Sequence, residues 1–187
     1  MKLDEEKIQI IIKPYYAIAR AGDWEHILRV VKWVKILGDK RNDLHLLIMA
    51  AYIHDIGWSG VAPKGKLNLK KMLQLELKAN LNSVKLAREV LEKLNFPQLE
   101  IAIIHRLVLA ADKHKADKDD EAIVVDADNL SKLCVEHIQE KYQPQSFKKM
   151  INLLENELAY RITTPKGREL FPKLLADLKI QISNKLK

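Results

Sequence analysis

Residues 49–57 read Met-Ala-Ala-Tyr-Ile-His-Asp-Ile-Gly, and this stretch decides how the 187-residue chain folds. An apolar, helix-forming run ends in the doublet His54-Asp55, and Gly57 closes the turn that follows. An imidazole nitrogen and a carboxylate oxygen at the mouth of a buried helix are neighbouring ligands for a divalent cation. A His-Asp pair occurs by chance in many chains, so the doublet gains weight only from other ligand residues that converge on it.

The periodicity of amphipathic helices runs from one end of the sequence to the other, and no stretch alternates as a strand would. We therefore predict an all-α fold, a single-domain helical bundle, which suits a chain of this length. Pro14 is expected to kink or break the first helix. Asn80 to Asn82 should separate two helices, at 67–79 and 83–94. Later helices are expected at 98–111, 121–141, 145–160 and 165–186, the last with Thr164 as N-cap and Pro165 at the first position.

The composition narrows the setting in which the protein works. With 32 Lys and Arg against 25 Asp and Glu, the formal charge is +7, but the lysines are dispersed and a nucleic-acid-binding role ranks last. The longest apolar run, 46–53, is far shorter than a membrane span, so no membrane partner is expected. Cys134 is the only cysteine, and the first residues are acidic, without the apolar core of a signal peptide. These features predict a cytoplasmic protein.

Two further candidate ligands lie on the apolar faces of their predicted helices. His26 shares a face with Val30, Trp33 and Leu37 at spacings of four, seven and eleven residues, so it should point inward. Asp126 shares a face with Leu130, Leu133 and His137 at the same spacings. A carboxylate on an apolar stripe is costly unless it is paired or bound to a metal. His26, His54-Asp55 and Asp126 thus form a pattern on three helices that can converge.

This H…HD…D pattern resembles the HD-domain superfamily of metal-dependent phosphohydrolases. The resemblance rests on the local text of residues 23–30, 50–57 and 125–130, and it spans roughly residues 20–135. It implies an HD-type helical domain over 1–187, with C-terminal helices at 144–187 packing on a motif-bearing core. It further implies that one divalent ion of the Mn, Fe or Mg type is held by His26, His54, Asp55 and Asp126. Asp128 belongs to the same motif, but it lies about 200° around the helix, so Asp126 is preferred.

The resemblance also implies an activity, the hydrolysis of a phosphate ester by a metal-activated water. The expected substrate is a small phosphorylated molecule, with a nucleotide as one candidate, and a homo-oligomer stays open. His54 and Asp55 would be catalytic as well as metal-binding. Arg29, one turn beyond His26, is a candidate for orienting phosphate, and a structural arginine is an equal alternative.

Members of this superfamily with two metals use further histidines between the doublet and the final aspartate. His105 lies where one of them is expected, but residues 78–80 offer no histidine, which favours a single metal. His105 is then a candidate for contacting substrate phosphate, and a core histidine is an equal alternative. The departure also supports a second hypothesis, a non-catalytic module that binds or senses metal or phosphate ligands.

The remaining histidines and the tryptophans carry less weight. His45, His114 and His137 have no motif to support them. Trp24, Trp33 and Trp58 flank the proposed ligands and could form a wall on which a nucleobase stacks, although a core position is the more common fate of such residues.

Overall fold

A computed structural model describes residues 3–63, 65–66 and 69–185, and within these the chain is all helical. Nine α-helices and two short 3-10 turns follow one another, and no strand occurs among the described residues. The helices are α1 (Glu5–Tyr16), α2 (Asp23–Leu37), α3 (Leu44–Ile53), α4 (Leu69–Lys93), α5 (Gln98–Lys113), α6 (Asp119–Ser131), α7 (Val135–Lys141), α8 (Phe147–Arg161) and α9 (Pro165–Lys185). The predicted all-α fold is confirmed.

Helix α3 lies at the centre of the bundle because its sequence carries no charged side chain. All of its residues from Leu46 to Ile53 are buried, and the helix packs against α2, α5 and α6. A helix that is apolar all round has no face for water and must be covered on every side. Its C-terminal end therefore delivers the doublet His54-Asp55 into the interior of the protein.

Three helix boundaries differ from the predicted ones. Helix α1 continues through Pro14 and ends two residues later, at Tyr16. Helix α4 is a single helix across the predicted break, because the Asn82 side chain donates to the carbonyl oxygens of Gly57 and Ser59 instead of disrupting its own helix. The predicted helix 121–141 is divided into α6 and α7 between Ser131 and Val135. Residue 67, the predicted start of the helix 67–79, and residue 186, the predicted end of the last helix, lie outside the described residues.

The C-terminal helices form a second apolar cluster beside the first. This cluster includes Leu130, Ile138, Met150, Leu154 and Leu178, from helices α6 to α9. Trp33 and Leu37 of α2 pack against both clusters and so join them. Within the described residues, none of the helices is both long and apolar enough to cross a membrane.

Candidate metal centre

Two histidines and two aspartates converge at the centre of the bundle. His26 Nε2 lies 3.2 Å from Asp128 Oδ1 and 3.5 Å from Asp55 Oδ2. His54 Nε2 lies 3.6 Å from the same Asp128 oxygen and 3.7 Å from the same Asp55 oxygen. The two imidazole rings are 5.4 Å apart between centroids. Three of these residues, His26, His54 and Asp128, are buried and offer ligand atoms within 4.8 Å of one another.

Three helices bring these residues together from distant parts of the sequence. His26 lies in the first turn of α2, the doublet follows the last residue of α3, and Asp128 lies in the last turn of α6. Helix α2 packs against both α3 and α6, so the three segments meet on one side of the core. Gly57 follows directly and allows a close approach of α4, because a Cβ atom there would lie 2.1 Å from the Ala79 carbonyl oxygen.

The second nitrogen of each histidine has a hydrogen-bond partner that orients the ring. His54 Nδ1 lies 3.0 Å from the Ala51 carbonyl oxygen, which can only accept, so Nδ1 carries the proton of the neutral ring. Ser131 Oγ donates to the Asp128 carbonyl oxygen and lies 3.1 Å from His26 Nδ1, which can therefore donate to the hydroxyl oxygen. Both arrangements leave the Nε2 atoms facing the Asp55 and Asp128 carboxylates, as in histidines that bind metals.

A ring of ion pairs surrounds the cluster and balances its negative charge. Arg20 donates to both Asp23 and Asp55, and Lys141 donates to Asp23 and lies 4.0 Å from Asp55. Lys132 donates to Asp128 Oδ2 at 2.7 Å, which leaves Oδ1 facing the histidines. Lys132 thus holds Asp128 through the oxygen that points away from the histidines, whereas Arg20 holds Asp55 through the same oxygen that faces them.

Burial and neighbouring charges raise the pKa of His54 and lower the pKa values of His26, Asp55 and Asp128. Burial, with the nearby Lys141 ammonium, lowers the pKa of His26 to about 3. Burial also acts to lower the pKa of His54, but the Asp55 and Asp128 carboxylates outweigh it and raise the pKa to about 9. For Asp55, burial acts to raise the pKa, yet Arg20, His54 and Lys141 hold it well below its usual range. The pKa of Asp128 is likewise lowered against the effect of burial, chiefly by Lys132.

The residues present fit a divalent metal ion. Ligand atoms around an ion at about 2.1 Å lie about 3.0 to 3.4 Å from one another, close to the separations found between these nitrogens and oxygens. His54 Nε2 is buried and has no hydrogen-bond partner among the described residues, as expected of a nitrogen that needs a cation. Two neutral imidazoles and two carboxylates suit Mn, Fe or Zn, and carboxylates with water suit Mg.

Asp126, the preferred fourth ligand from the sequence, lies elsewhere in the structure. Its carboxylate accepts from the Thr163 N–H at 3.0 Å, the Thr164 N–H at 2.8 Å and the Thr164 hydroxyl at 2.6 Å. Burial raises its pKa, although these donors act against the rise. Asp126 thus joins α6 to the connection between α8 and α9, and Asp128 occupies the place beside the histidines that the sequence analysis gave to Asp126.

Arg29 and His105 also lie apart from the cluster. Arg29 Nη2 donates to Glu140 Oε2 at 2.7 Å, so the guanidinium joins α2 to α7. His105 is half-buried on α5, and burial, with Arg88, lowers its pKa. Neither residue lines the cavity described below. The structure therefore brings together His26, His54 and Asp55 of the predicted residues, and not Asp126, Arg29 or His105.

A cavity of about 580 Å³ opens onto the cluster. Its lining includes Asp112, His114 and His137, which the sequence did not identify as site residues. Asp112 Oδ2 is buried without a hydrogen-bond partner among the described residues. Burial first, and then repulsion from Asp55 and Asp128, raises the pKa of Asp112 to about 7. Burial, with Lys132, lowers the pKa of His114 to about 4. The His137 ring lies 5.2 Å from that of His26.

Comparison with known proteins agrees with this geometry. The family model "HD domain" matches residues 23–133, which contain all four residues of the cluster. Because the match covers more than half of the chain, the protein belongs to the HD-domain family, a superfamily of metal-dependent phosphohydrolases. A search of curated proteins gave no significant match. A search of solved structures gave none either.

Proposed function

We propose that this protein hydrolyses a small phosphate ester, with His26, His54, Asp55 and Asp128 holding one divalent ion of the Mn, Fe or Mg type. The observation that carries the proposal is the convergence of two buried imidazole nitrogens and two carboxylate oxygens beside the cavity. A divalent ion bound there would act as a Lewis acid toward the phosphoryl group and lower the pKa of a water molecule. The size of the cavity suits a small substrate. The single free cysteine suits the reducing environment of the cytoplasm.

Basic side chains along the cavity would bind the phosphate group. Lys113, Lys132 and Arg161 line it, together with Arg20. Lys132 and Arg161 are already oriented by Asp128 and by Glu157, respectively, at 2.7 and 2.9 Å. A phosphate in this position receives hydrogen bonds from cations whose geometry is fixed beforehand, which lowers the cost of charge development in the reaction.

Asp112 would supply the proton for the leaving group. Its carboxyl group lines the cavity, and burial, ahead of the nearby carboxylates, raises its pKa to about 7, which favours the protonated form. A bound dication would offset the repulsion from Asp55 and Asp128, but the burial of Asp112, the larger cause, would persist. In the reaction, water attacks phosphorus, the bond between phosphorus and the ester oxygen breaks, and Asp112 donates its proton to that oxygen. The attacking water loses one proton to solvent, and Asp112 regains a proton from solvent before the next turnover.

A second candidate function follows from one contact of Asp55. Arg20 donates to the Asp55 oxygen that faces both histidines, so this carboxylate already has a strong cationic partner. That contact favours a module that binds metal or phosphate ligands without turnover, the alternative raised by the sequence.

The test is hydrolysis of a panel of phosphomonoesters, nucleotides included, by protein prepared with chelator and then reloaded with Mn, Fe or Mg. We expect phosphate release only after reloading, and its loss in His26→Ala and Asp128→Asn. Asp117→Asn is the matched control, because this carboxylate is exposed and pairs only with Lys115 among the described residues. Stoichiometric metal binding without release of phosphate from any ester would favour the second candidate. Release that survives complete metal removal would contradict the proposal.

A further inference from the structure

The lining of the cavity beside the metal centre combines charged and apolar side chains. Six apolar side chains of α4 and α8 form what we call the apolar wall, and Glu76, Asn80, Glu157 and Arg161 of the same two helices also line the cavity. The wall consists of Met72, Leu73, Met150, Leu153, Leu154 and Leu158. Helix α8 lies outside the part of the chain that matches the family model, so most of this wall is built by residues beyond 23–133.

The apolar wall is open to a ligand at its rim. The Leu73 side chain is 56% exposed although it borders a cavity, and Met72 and Leu153 are only half-buried. Deeper in, Leu154 and Leu158 are buried in the C-terminal apolar cluster and provide a firm base. An apolar group placed against Leu73 and Leu153 would remove these side chains from water, which is favourable in proportion to the area covered.

Among the described residues, neither a tryptophan nor a tyrosine offers a free ring face to a nucleobase in this cavity. Trp58 lines it, but the Arg20 guanidinium lies 4.1 Å from the centroid of its ring, and only 6% of the residue is exposed. Tyr142 is buried beside His137. Trp24 and Trp33, the other tryptophans considered for stacking, do not line this cavity. Base recognition without sequence readout depends on such stacking surfaces, and the apolar wall has none.

We infer that the substrate is a phosphate monoester of an apolar alcohol, with its phosphate at the metal centre and its hydrocarbon body against the apolar wall. This inference rests on the proposed function of the site and specifies its substrate class. A lining that carries both charged groups and hydrocarbon complements such an amphiphilic molecule. A nucleotide would present a polar sugar and base to leucine and methionine side chains.

Binding of phosphonates, which cannot be hydrolysed at their carbon–phosphorus bond, tests the inference without turnover. Calorimetry with Mn-loaded protein would compare methyl-, butyl- and hexylphosphonate with the phosphonate analogue of AMP. We expect affinity to rise about fourfold for each buried methylene, or roughly 50-fold from methyl to butyl. Leu73→Gln should weaken hexylphosphonate binding about 3- to 10-fold and leave methylphosphonate unchanged. Leu77→Gln is the matched control, because it lies one turn along the same helix, is 73% exposed and does not line the cavity.

The outcomes separate this inference from the proposed function. If methylphosphonate binds but longer chains add nothing, or if the AMP analogue binds tighter than hexylphosphonate and is insensitive to Leu73→Gln, the inference is wrong and the metal centre stands. If none of the phosphonates binds to metal-loaded protein, both the inference and the proposed phosphate site are refuted.

Discussion

Replacing Asp126 by alanine should destabilise the protein without removing its metal. The change deletes the acceptor of two N–H groups and one hydroxyl, from Thr163 and Thr164, so three donors lose their partner. An unpaired buried donor costs about 1 to 3 kcal/mol, and the low end applies here because Thr163 is exposed and water can replace part of the loss. We therefore expect a loss of about 2 to 4 kcal/mol in the free energy of unfolding. For a chain of this size that lowers Tm by about 4 to 16 °C.

Thermal unfolding followed by circular dichroism, in chelator, measures this loss without any contribution from metal. Asp128→Ala in the same buffer should also lower Tm, because the change removes the carboxylate that pairs with Lys132 and lies beside both histidine rings. Elemental analysis below Tm should then find metal retained in Asp126→Ala and lost in Asp128→Ala. The reasoning is refuted if Asp126→Ala unfolds like wild type and loses its metal, since Asp126 would then be the ligand that the sequence analysis preferred.

Three other predictions follow from the same geometry. Gly57→Ala should lower the free energy of unfolding, measured by chemical denaturation, by about 3 kcal/mol or more, because the new Cβ would lie 2.1 Å from the Ala79 carbonyl oxygen. Gly60→Ala is the control: its Cβ would meet open space, and its φ of 68° should cost only about 1 kcal/mol. Equal losses in the two variants would contradict the close packing of Gly57 against α4. The Asp55 and Asp128 carboxylates raise the pKa of His54 to about 9, so a metal ion that binds His54 must displace its proton. The apparent metal affinity should therefore rise about tenfold per pH unit up to about pH 9. An affinity that does not change between about pH 6 and 8 would contradict this. Asp112→Asn should lower the hydrolysis of an alkyl phosphate by about 100-fold or more, because the alkoxide leaving group needs a proton, but that of p-nitrophenyl phosphate only slightly. Equal losses on both esters would show that Asp112 is not the proton donor.

The fold could be predicted from the sequence because helical periodicity is strong along most of the chain. The uninterrupted apolar text of α3 indicated a buried central helix, and it placed the doublet inside the protein. Thr164 was predicted to cap the last helix, and its hydroxyl indeed accepts from the Gly167 N–H at 3.0 Å. The undivided α4 could not be foreseen, because what stabilises Asn82 is a pair of carbonyl oxygens 23 and 25 residues earlier in the chain.

Helical periodicity could not distinguish Asp126 from Asp128 as the metal ligand. The apolar stripe that favoured Asp126 runs on to His137 in the sequence, but α6 ends at Ser131 and α7 begins at Val135, so these residues do not share one helix face. Moreover, every residue of α6 from Ile123 to Ser131 is buried, which makes all of its faces interior. Only the tertiary structure decides which interior face meets the histidines and which meets the connection before α9.

Asp112 and the basic residues of the cavity escaped the sequence analysis for a related reason. Asp112 begins the run 112–120, whose many charged residues are typical of a solvated loop, but α5 continues to Lys113 and includes it. Its burial comes from neighbours on other helices, and so does the repulsion from Asp55 and Asp128 that raises its pKa. The signal that could have identified it is its spacing of seven residues from His105, which places both on one face of α5.

The central claim is that His26, His54, Asp55 and Asp128 form one metal site, and the metal content of matched variants tests it most directly. Untagged wild type, His54→Ala, Asp128→Asn and Asp126→Asn would be incubated with Mn, Fe or Mg, freed of excess ion and analysed for metal per chain. The account predicts about one ion per chain in wild type and in Asp126→Asn, and a near-complete loss in His54→Ala and Asp128→Asn. A wild type that stays free of metal, or an Asp128→Asn variant that binds it as well as wild type, would contradict the claim.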